Sequence, residues 1–240
     1  MIIEIVGHKG VVGNATFQWF KAMKSPWGVQ LISRDKEDTL PERSDISFIC
    51  VPESQVDDVA MEVMKYSELV VIRSTVPPGT CNRLQARTGK HVCHNPEFLK
   101  EATAVQDIFN PSYILIGACC TKHGSLLREL YEPSCAKIIE TTTSESEMVK
   151  IVTNNYLACL ISFWNEIEAI AQASGLSGHR IGAIATHDPR VVTYGARKHH
   201  QYAGKCLPKE ITQMIKYAES KSVKTPLLHA IEEVNNCQKF

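Results

Sequence analysis

The chain begins Met1-Ile2-Ile3-Glu4-Ile5-Val6 and continues with Gly7-His8-Lys9-Gly10-Val11-Val12-Gly13. The apolar run over residues 2–6 predicts a buried strand, the glycines predict a tight turn, and residues 14–23 have a helix-like composition. Strand, glycine turn and helix form the opening of a Rossmann-type unit, where the backbone approaches a pyrophosphate at a helix N-terminus. The predicted cofactor-binding residues of this turn are Gly7, Gly10, Val11, Val12 and Gly13.

A second predicted strand, residues 29–33, is followed by Asp35, which lies 22 residues after Gly13. An acidic residue at this distance accepts hydrogen bonds from the ribose hydroxyls of a dinucleotide. The neighbouring Arg34 leaves a 2′-phosphate open as an alternative, but Asp35 would repel that group. The pattern therefore favours NAD over NADP.

Two further apolar runs, residues 47–52 and 69–72, predict buried parallel strands. Ligands of open α/β sheets bind at the carboxyl ends of such strands. The predicted cofactor contacts there are Val51, Pro52, Ser74 and Thr75. The other interpretation of residues 74–79 is a Pro-rich turn followed by a helix cap. The fold class predicted is α/β, with a Rossmann-type doubly wound sheet in residues 1–142 and an all-helical central domain in residues 143–240.

The bulk composition excludes several classes of partner. The 26 basic residues equal the 26 acidic residues, so nothing indicates binding to nucleic acid or a membrane surface. No apolar run reaches membrane-spanning length, and no signal peptide is recognised before the first strand. The nine cysteines show no CxxC spacing and no zinc-type histidine cluster along the chain. We expect free thiols, no metal and a cytoplasmic location.

A candidate nucleophile lies in Tyr202-Ala203-Gly204-Lys205-Cys206-Leu207-Pro208-Lys209-Glu210. Two lysines flank the cysteine, and the Gly and Pro predict a loop running into a helix start. Positive charge and a helix N-terminus both favour the reactive thiolate. Most free cysteines are inert, so an unreactive side chain is the alternative.

Two pairs of polar residues are spaced four apart, as on one face of a helix. Glu97 and Glu101 would raise one another's pKa and suit acid/base chemistry, although a solvated helix face is the alternative. Lys150 and Asn154 begin an apolar stretch ending near residue 173. A lysine buried in such a helix is suited to stabilising an oxyanion.

Four segments, in this order, resemble the UDP-glucose/GDP-mannose dehydrogenase family, and the resemblance covers residues 1 to about 215. They are Ser74-Thr75-Val76-Pro77-Pro78-Gly79-Thr80, Asn95-Pro96-Glu97-Phe98-Leu99-Lys100-Glu101, Glu147-Met148-Val149-Lys150-Ile151-Val152-Thr153-Asn154-Asn155 with Phe163-Trp164-Asn165-Glu166, and the Cys206 stretch. The resemblance implies oxidation of a primary alcohol of a UDP- or GDP-sugar to a carboxylate, with two NAD reduced in succession.

The resemblance also implies roles for individual residues. Cys206 would attack the aldehyde intermediate, while Lys150 and Asn154 would stabilise the oxyanion. Glu97 would act in thioester hydrolysis, and Thr75 would hold a water. Glu210 stands in place of an aspartate that assists proton transfer. Additional cofactor contacts would be Glu101 and Lys209. The substrate contacts would be Glu97, Phe98, Leu99, Lys150, Asn154, Arg190, Tyr202 and Gly204.

The chain departs from the family pattern at several positions. The first turn reads Gly-x-x-Gly-x-x-Gly rather than Gly-x-Gly-x-x-Gly, and Ala203 replaces a glycine before the nucleophile. Family members continue into a second nucleotide-binding domain beyond the region present here. A dimer partner or a separate protein would then complete the site, or the substrate is smaller. The family's dimer element corresponds to residues 144–174, so we expect a homodimer.

Three hypotheses follow from these observations. The first is a nucleotide-sugar 6-dehydrogenase that works through a Cys206 thioester. The second is a single-hydride dehydrogenase of the β-hydroxyacid type, which needs the lysine but no cysteine and gives one NADH per substrate. The third is a non-catalytic NAD-binding remnant, which would bind NAD without turnover of any nucleotide sugar.

Overall fold

The computed structural model describes residues 1–23, 28–36, 38–196, 201–202 and 206–237. The chain divides into two compact units, Met1–Lys150 and Ile151–Phe240. Gly204, a predicted substrate contact, lies outside the described residues. Within those residues, no helix is both long and apolar enough to cross a membrane.

The first unit contains one sheet, for which the described residues supply seven strands in the order β2-β1-β3-β4-β5-β6-β7. Neighbouring strands are parallel except β5 and β6, which are antiparallel. The order reverses between β1 and β3, so this is a doubly wound sheet with its switch point there. The bounds are Ile2–Val6 (β1), Gln30–Arg34 (β2), Ser44–Ile49 (β3), Ser67–Ile72 (β4), His91–His94 (β5), Tyr113–Ala118 (β6) and Lys137–Thr142 (β7).

Helices cover both faces of this sheet, which explains why its strands are continuous apolar runs. Phe48 packs with Trp19 in the core on one face, whereas the adjacent Ile49 packs with Ile72 on the other. The helices of the first unit are Val11–Ala22 (α1), Glu53–Val63 (α2), Thr80–Thr88 (α3), Ala104–Phe109 (α4) and Thr121–Tyr131 (α5), with short 3₁₀ helices at Glu101–Thr103 and Glu132–Ser134.

The long helix α6, Thr143–Ala173, begins in the first unit and continues into the second. The second unit adds α7 (Gly178–Ala185), α8 (Leu207–Ser220) and α9 (Pro226–Cys237). Its core is formed by Ala158 and Ile161 of α6 with Ile211, Ile215 and Ile231. The predicted α/β class, with a doubly wound sheet followed by helices, is confirmed. The domain boundary after residue 142, where β7 ends, stays a prediction.

Candidate active site

The opening turn folds as a tight strand–turn–helix connection in spite of its extra residue. Gly7 has a φ of 83°, and a Cβ there would lie 2.6 Å from the Cys50 carbonyl oxygen. A Cβ on Gly13 would lie 2.0 Å from the Gly7 carbonyl oxygen. The Gly10 N–H donates to that same oxygen at 3.1 Å, and α1 begins at Val11. Only glycine fits at position 7, which has a positive φ and lies against the end of β3, and at position 13, where the first turn of α1 touches the Gly7 carbonyl.

A cavity of about 470 Å³ lies at the carboxyl ends of β1, β2 and β3, at the switch point of the sheet. Five predicted cofactor residues line it, namely Gly7, Gly10, Asp35, Val51 and Pro52. Val11, Val12 and Gly13 form the first turn of α1 beside it. A glycine cradle, a helix start and a carboxylate at one cavity fit the phosphates and a ribose of a dinucleotide.

Asp35 and Arg34 have different surroundings in this cavity. The Asp35 carboxylate contacts His8 Nδ1 at 3.0 Å and Lys9 Nζ at 3.8 Å. The Arg34 guanidinium is 5% exposed and forms ion pairs of 2.8 Å with both Glu4 and Glu62. Because the carboxylates of Glu4 and Glu62 already neutralise Arg34, its guanidinium is not available to bind a 2′-phosphate. The cavity therefore favours NAD, as the sequence predicted.

The turn after β4 is fixed to the end of β3. The Ser74 hydroxyl donates to the Val51 carbonyl oxygen at 2.6 Å. Thr75 follows it and is half-buried. Glu147 of α6 is fully buried and accepts N–H bonds from Gly79 at 2.5 Å and Cys81 at 2.8 Å, at the start of α3. Burial raises the pKa of Glu147. This anchor, which the sequence did not predict, holds the turn that carries Thr75.

Lys150 and Glu97 form a nearly buried ion pair. Lys150 Nζ lies 3.3 Å from Glu97 Oε1, and the two side chains are 4% and 14% exposed. The other Glu97 oxygen accepts the Leu99 N–H at 2.6 Å, and the Phe98 ring centroid is 5.5 Å from Lys150 Nζ. Two predicted substrate-binding residues, Glu97 and Phe98, therefore contact the buried Lys150 cation, and Leu99 bonds to Glu97, although Lys150 and Glu97 are far apart in sequence.

The predicted helical pairing of Glu97 with Glu101 is wrong. Residues 95–100 are irregular, and the exposed Glu101 only begins a 3₁₀ helix. The Leu99 and Lys100 N–H groups donate to the carboxylates of Glu97 and Asp107, at 2.6 and 2.9 Å, rather than to helix carbonyls. The role of Glu101 at the cofactor stays a prediction without that argument.

Two buried networks behind β4 and β5 were also missed. His94 is fully buried, its Nδ1 lies 2.8 Å from the Ser146 hydroxyl, and burial lowers its pKa to about 3. The Arg73 guanidinium bonds to Asn95 and, at 2.8 Å, to the Tyr131 hydroxyl. The available signal was a polar residue at the end of an apolar strand, which is costly to bury without a partner.

In the second unit, the predicted helix start directly after Cys206 is confirmed, while residues 203–205 lie outside the described residues. Cys206 is exposed, directly precedes α8 and accepts the Glu210 N–H on its carbonyl at 3.0 Å. A thiol at a helix N-terminus gains thiolate character. The Asn154 amide donates to the buried Glu210 carboxylate at 2.8 Å, so these two predicted catalytic residues lie in contact. Lys209 is exposed in the first turn of α8.

Two predicted substrate contacts occupy other surroundings. Tyr202 lies in the core of the second unit, where its hydroxyl donates to the Ile231 carbonyl at 3.4 Å and burial raises its pKa to about 12. Arg190 is exposed and pairs with Asp188 at 2.6 Å. Their roles at a substrate stay predictions.

Comparisons with known proteins agree with these features. Residues 28–135 match the NAD binding domain, and residues 144–237 the central domain, of the UDP-glucose/GDP-mannose dehydrogenase family. A GDP-mannose 6-dehydrogenase of Pseudomonas putida is 31% identical over 81% of this chain and 51% of its own length. A UDP-glucose 6-dehydrogenase of Pseudomonas aeruginosa is 34% identical over 71% and 41%.

The fold has a solved counterpart as well. A UDP-glucose dehydrogenase from Pyrobaculum islandicum aligns with a TM-score of 0.86 and 24% identity over 98% of this chain and 68% of its own. The chain spans about half the length of the curated relatives it matches. The matched NAD binding domain confirms the predicted cofactor. Fold, glycine turn and sequence likeness together place this chain in the UDP-glucose/GDP-mannose dehydrogenase family.

Proposed function

We propose that this chain carries the cofactor site and the reacting side chains of a nucleotide-sugar 6-dehydrogenase, an enzyme that oxidises a primary alcohol of a UDP- or GDP-sugar to a carboxylate. The observation that carries the proposal is the nearly buried Lys150–Glu97 pair, flanked by Phe98 and Leu99. An ammonium has three N–H donors, so Lys150 can pair with Glu97 and still donate to an oxygen on which negative charge develops during a reaction. The sequence likeness to GDP-mannose and UDP-glucose 6-dehydrogenases supports the same reaction.

The cofactor half of the proposal rests on the cavity at the switch point. Gly7, Gly10 and Asp35 would hold NAD, with the Ser74–Val51 bond keeping the ends of β3 and β4 together. NAD, when bound, accepts one hydride in each of the two oxidations.

Lys150 would act on the oxygen of the reacting carbon. Its ammonium stabilises the alkoxide formed when the alcohol loses its proton, and again when sulfur adds to the aldehyde. Asn154 lies one turn further along α6 and would add an N–H donor to the same oxygen. Its bond to Glu210 keeps the amide oriented.

Cys206 would make the second oxidation possible. Its thiolate adds to the aldehyde carbon, a C–S bond forms, and the carbonyl oxygen becomes an alkoxide that Lys150 stabilises. Loss of hydride from that carbon restores the C=O bond and leaves a thioester. Water then adds to the thioester carbonyl while Glu97 takes up a proton from the water. The C–S bond breaks, which returns the thiolate, and the carboxylic acid formed releases its remaining proton to solvent to give the carboxylate.

The experiment measures NADH formation by the purified chain with NAD and a panel of UDP- and GDP-sugars. We expect NADH from at least one nucleotide sugar, and loss of carboxylate product in Cys206→Ala. The matched control is Cys135→Ala, since Cys135 is also an exposed cysteine, in the first unit. Absence of NADH with every sugar, or unchanged carboxylate production by Cys206→Ala, would overturn the proposal.

We also propose that α6 joins two copies of the chain. Five of its apolar side chains are between 37% and 60% exposed and recur at spacings of three, four and seven residues, which places them on one helix face. They are Val149, Val152, Tyr156, Phe163 and Ile170. A second copy with the same stripe would cover this face.

The dimer is tested by the mass of the chain in solution. We expect twice the 26.8 kDa of one chain for the wild type, and the single-chain mass for Phe163→Glu. The control is Leu227→Glu, because Leu227 is also an exposed apolar residue but lies on α9. A monomeric wild type, or a dimeric Phe163→Glu variant, would contradict this arrangement.

A further inference from the structure

A cluster of two histidines and two cysteines lies in the first unit, away from the cofactor cavity. The ligand atoms of His91, Cys119, Cys120 and His123 all lie within 4.8 Å of one another. Two thiolates and two imidazoles form a donor set that binds Zn²⁺ in structural sites. We propose that these residues form a Zn²⁺-binding site.

The sheet topology brings these residues together. His91 is the first residue of β5, which runs parallel to β4, so it lies at the amino edge of those strands. Strand β6 is antiparallel to β5 and ends at Ala118, so Cys119 and Cys120 emerge at that same edge. The cofactor cavity occupies the carboxyl edge of β1, β2 and β3. The zinc site is therefore separate from the site proposed for the dehydrogenase.

The local sequence aligns three ligands on one turn. Cys120 is the N-cap residue of α5, and His123 lies in the first turn of that helix. Side chains three and four residues apart share a helix face, which directs His123 toward both sulfurs. His123 Nδ1 lies 3.3 Å from Cys119 Sγ and 3.2 Å from Cys120 Sγ. His91 Nδ1 lies 3.7 Å from Cys119 Sγ.

These separations match the edges of a zinc tetrahedron. Zn–S bonds of about 2.3 Å and Zn–N bonds of about 2.0–2.1 Å, at tetrahedral angles, place sulfur and nitrogen about 3.5 Å apart. The three S···N distances of 3.2, 3.3 and 3.7 Å lie on both sides of this value. These three distances, and the 4.8 Å within which all four ligand atoms lie, are compatible with four ligands around one Zn²⁺ ion.

The four residues differ in exposure, so an ion can reach the cluster from solvent and become partly buried once it is bound. His91 is exposed, Cys119 and Cys120 are half-buried, and His123 is 7% exposed. A hydrated ion can therefore be captured from the side of His91 and lose its water against His123. The bound ion would join the start of β5 to the turn between β6 and α5 and stabilise the first unit.

The same sulfurs have a competing chemistry. Cys93 Sγ lies 3.5 Å from Cys119 Sγ, so an oxidant could couple these two thiols in a disulfide. A disulfide would remove Cys119 from the ligand set. Titration under a thiol-free reductant keeps all four ligands available, and mass analysis of the same sample detects the disulfide.

Co²⁺ is the probe, because tetrahedral thiolate–cobalt complexes absorb strongly in the visible and near-ultraviolet, and Zn²⁺ then displaces it without colour. We expect one Co²⁺ per chain with this absorption, its loss on adding one Zn²⁺, and a Zn²⁺-dependent rise in the thermal unfolding midpoint. Cys120→Ser and His91→Ala should each weaken Zn²⁺ binding by at least about tenfold. Loss of a residue that only supports a metal ligand already has an effect of this size, and these two variants remove ligands.

Controls separate this site from general thiol binding. Cys135→Ser removes an exposed cysteine outside the cluster and should bind Zn²⁺ like the wild type. Because His91 is exposed, His91→Ala is expected to fold even if a change at the buried His123 does not. No tetrahedral cobalt spectrum in the reduced wild type, or equal Zn²⁺ affinity in His91→Ala and Cys120→Ser, would overturn the proposal. Neither result depends on NAD turnover.

Discussion

His94 should make the first unit sensitive to acid. Its imidazole is fully buried, with Ser146 and the Ser74 carbonyl as neighbours, and burial lowers its pKa from 6.5 to about 3. The nearby cations Arg73 and Lys150 lower it further. The unfolded chain therefore binds a proton below pH 6.5 that the folded chain does not bind until pH falls to about 3.

The sign of the effect follows from this difference. A group whose folded pKa is depressed below its unfolded value costs stability as pH falls between the two values, so folding weakens on acidification. At pH 5 the gap to the unfolded pKa is about 1.5 units, which corresponds to about 2 kcal/mol at about 1.4 kcal/mol per unit. The full loss is reached near pH 3.

Urea unfolding at pH 7.5 and pH 5, followed by circular dichroism, measures this term. The wild type should lose about 2 kcal/mol more between the two pH values than His94→Gln, whose amide takes up no proton. The exposed His229 supplies a matched control, and His229→Gln should lose as much as the wild type. Equal losses in the wild type and His94→Gln would refute the reasoning, because the acid sensitivity would then come from other groups.

Three further changes test other parts of the structure. Lys150→Met leaves the nearly buried Glu97 carboxylate without its cation and should lower the free energy of unfolding by about 3 kcal/mol. In urea unfolding, the double variant with Glu97→Gln should lose much less stability than the two single variants added together. Additive losses would argue against the pair. Gly13→Ala places a methyl group against the Gly7 carbonyl, so it should abolish NAD binding measured by calorimetry and lower the thermal unfolding midpoint. Gly10→Ala should keep the wild-type midpoint, because its Cβ would lie 3.4 Å from the Gly7 carbonyl oxygen. Asn154→Leu removes the amide that donates to the buried Glu210 carboxylate and should lower the free energy of unfolding in urea by about 1–3 kcal/mol. Asn154→Gln keeps an amide donor and should lose less. An unchanged unfolding midpoint in Asn154→Leu would contradict the contact.

The first sheet strands and their turn were predictable because local chemistry dictates them. The run over residues 2–6 forms β1 with the predicted bounds, since Ile3 and Ile5 face the apolar core on one side of the sheet and Val6 faces the core on the other. β3 begins earlier than predicted, at Ser44 rather than at residue 47. Asp45 accepts the Ile2 N–H at 2.7 Å, and Ser44 pairs with Ser67 of β4. Polar residues can join a strand when its neighbours satisfy them, which the sequence of one strand does not reveal.

The candidate site was also only partly predictable from the sequence. The apolar helix around Lys150 left two alternatives, a lysine at the helix edge or a functional one, and its partner Glu97 comes from a loop that only the tertiary fold brings close. Glu97 and Glu101 do not share a helix face, because local side-chain carboxylates take up the N–H groups of Leu99 and Lys100. Three zinc ligands, Cys119, Cys120 and His123, are close in sequence, but the fourth, His91, lies 28 residues before Cys119 and meets it through an antiparallel strand, so the sequence alone did not show the full set.

The most direct test of the proposed reaction is the number of NADH molecules released per nucleotide sugar consumed, with the carbon product identified. We expect two NADH and a carboxylate from the wild type. Cys206→Ala should give one NADH and an aldehyde, because without the thiol no thiohemiacetal forms to release the second hydride. Two NADH and a carboxylate from Cys206→Ala would contradict the role of the thiol. One NADH from the wild type would contradict the two-step oxidation and favour a single-hydride dehydrogenase.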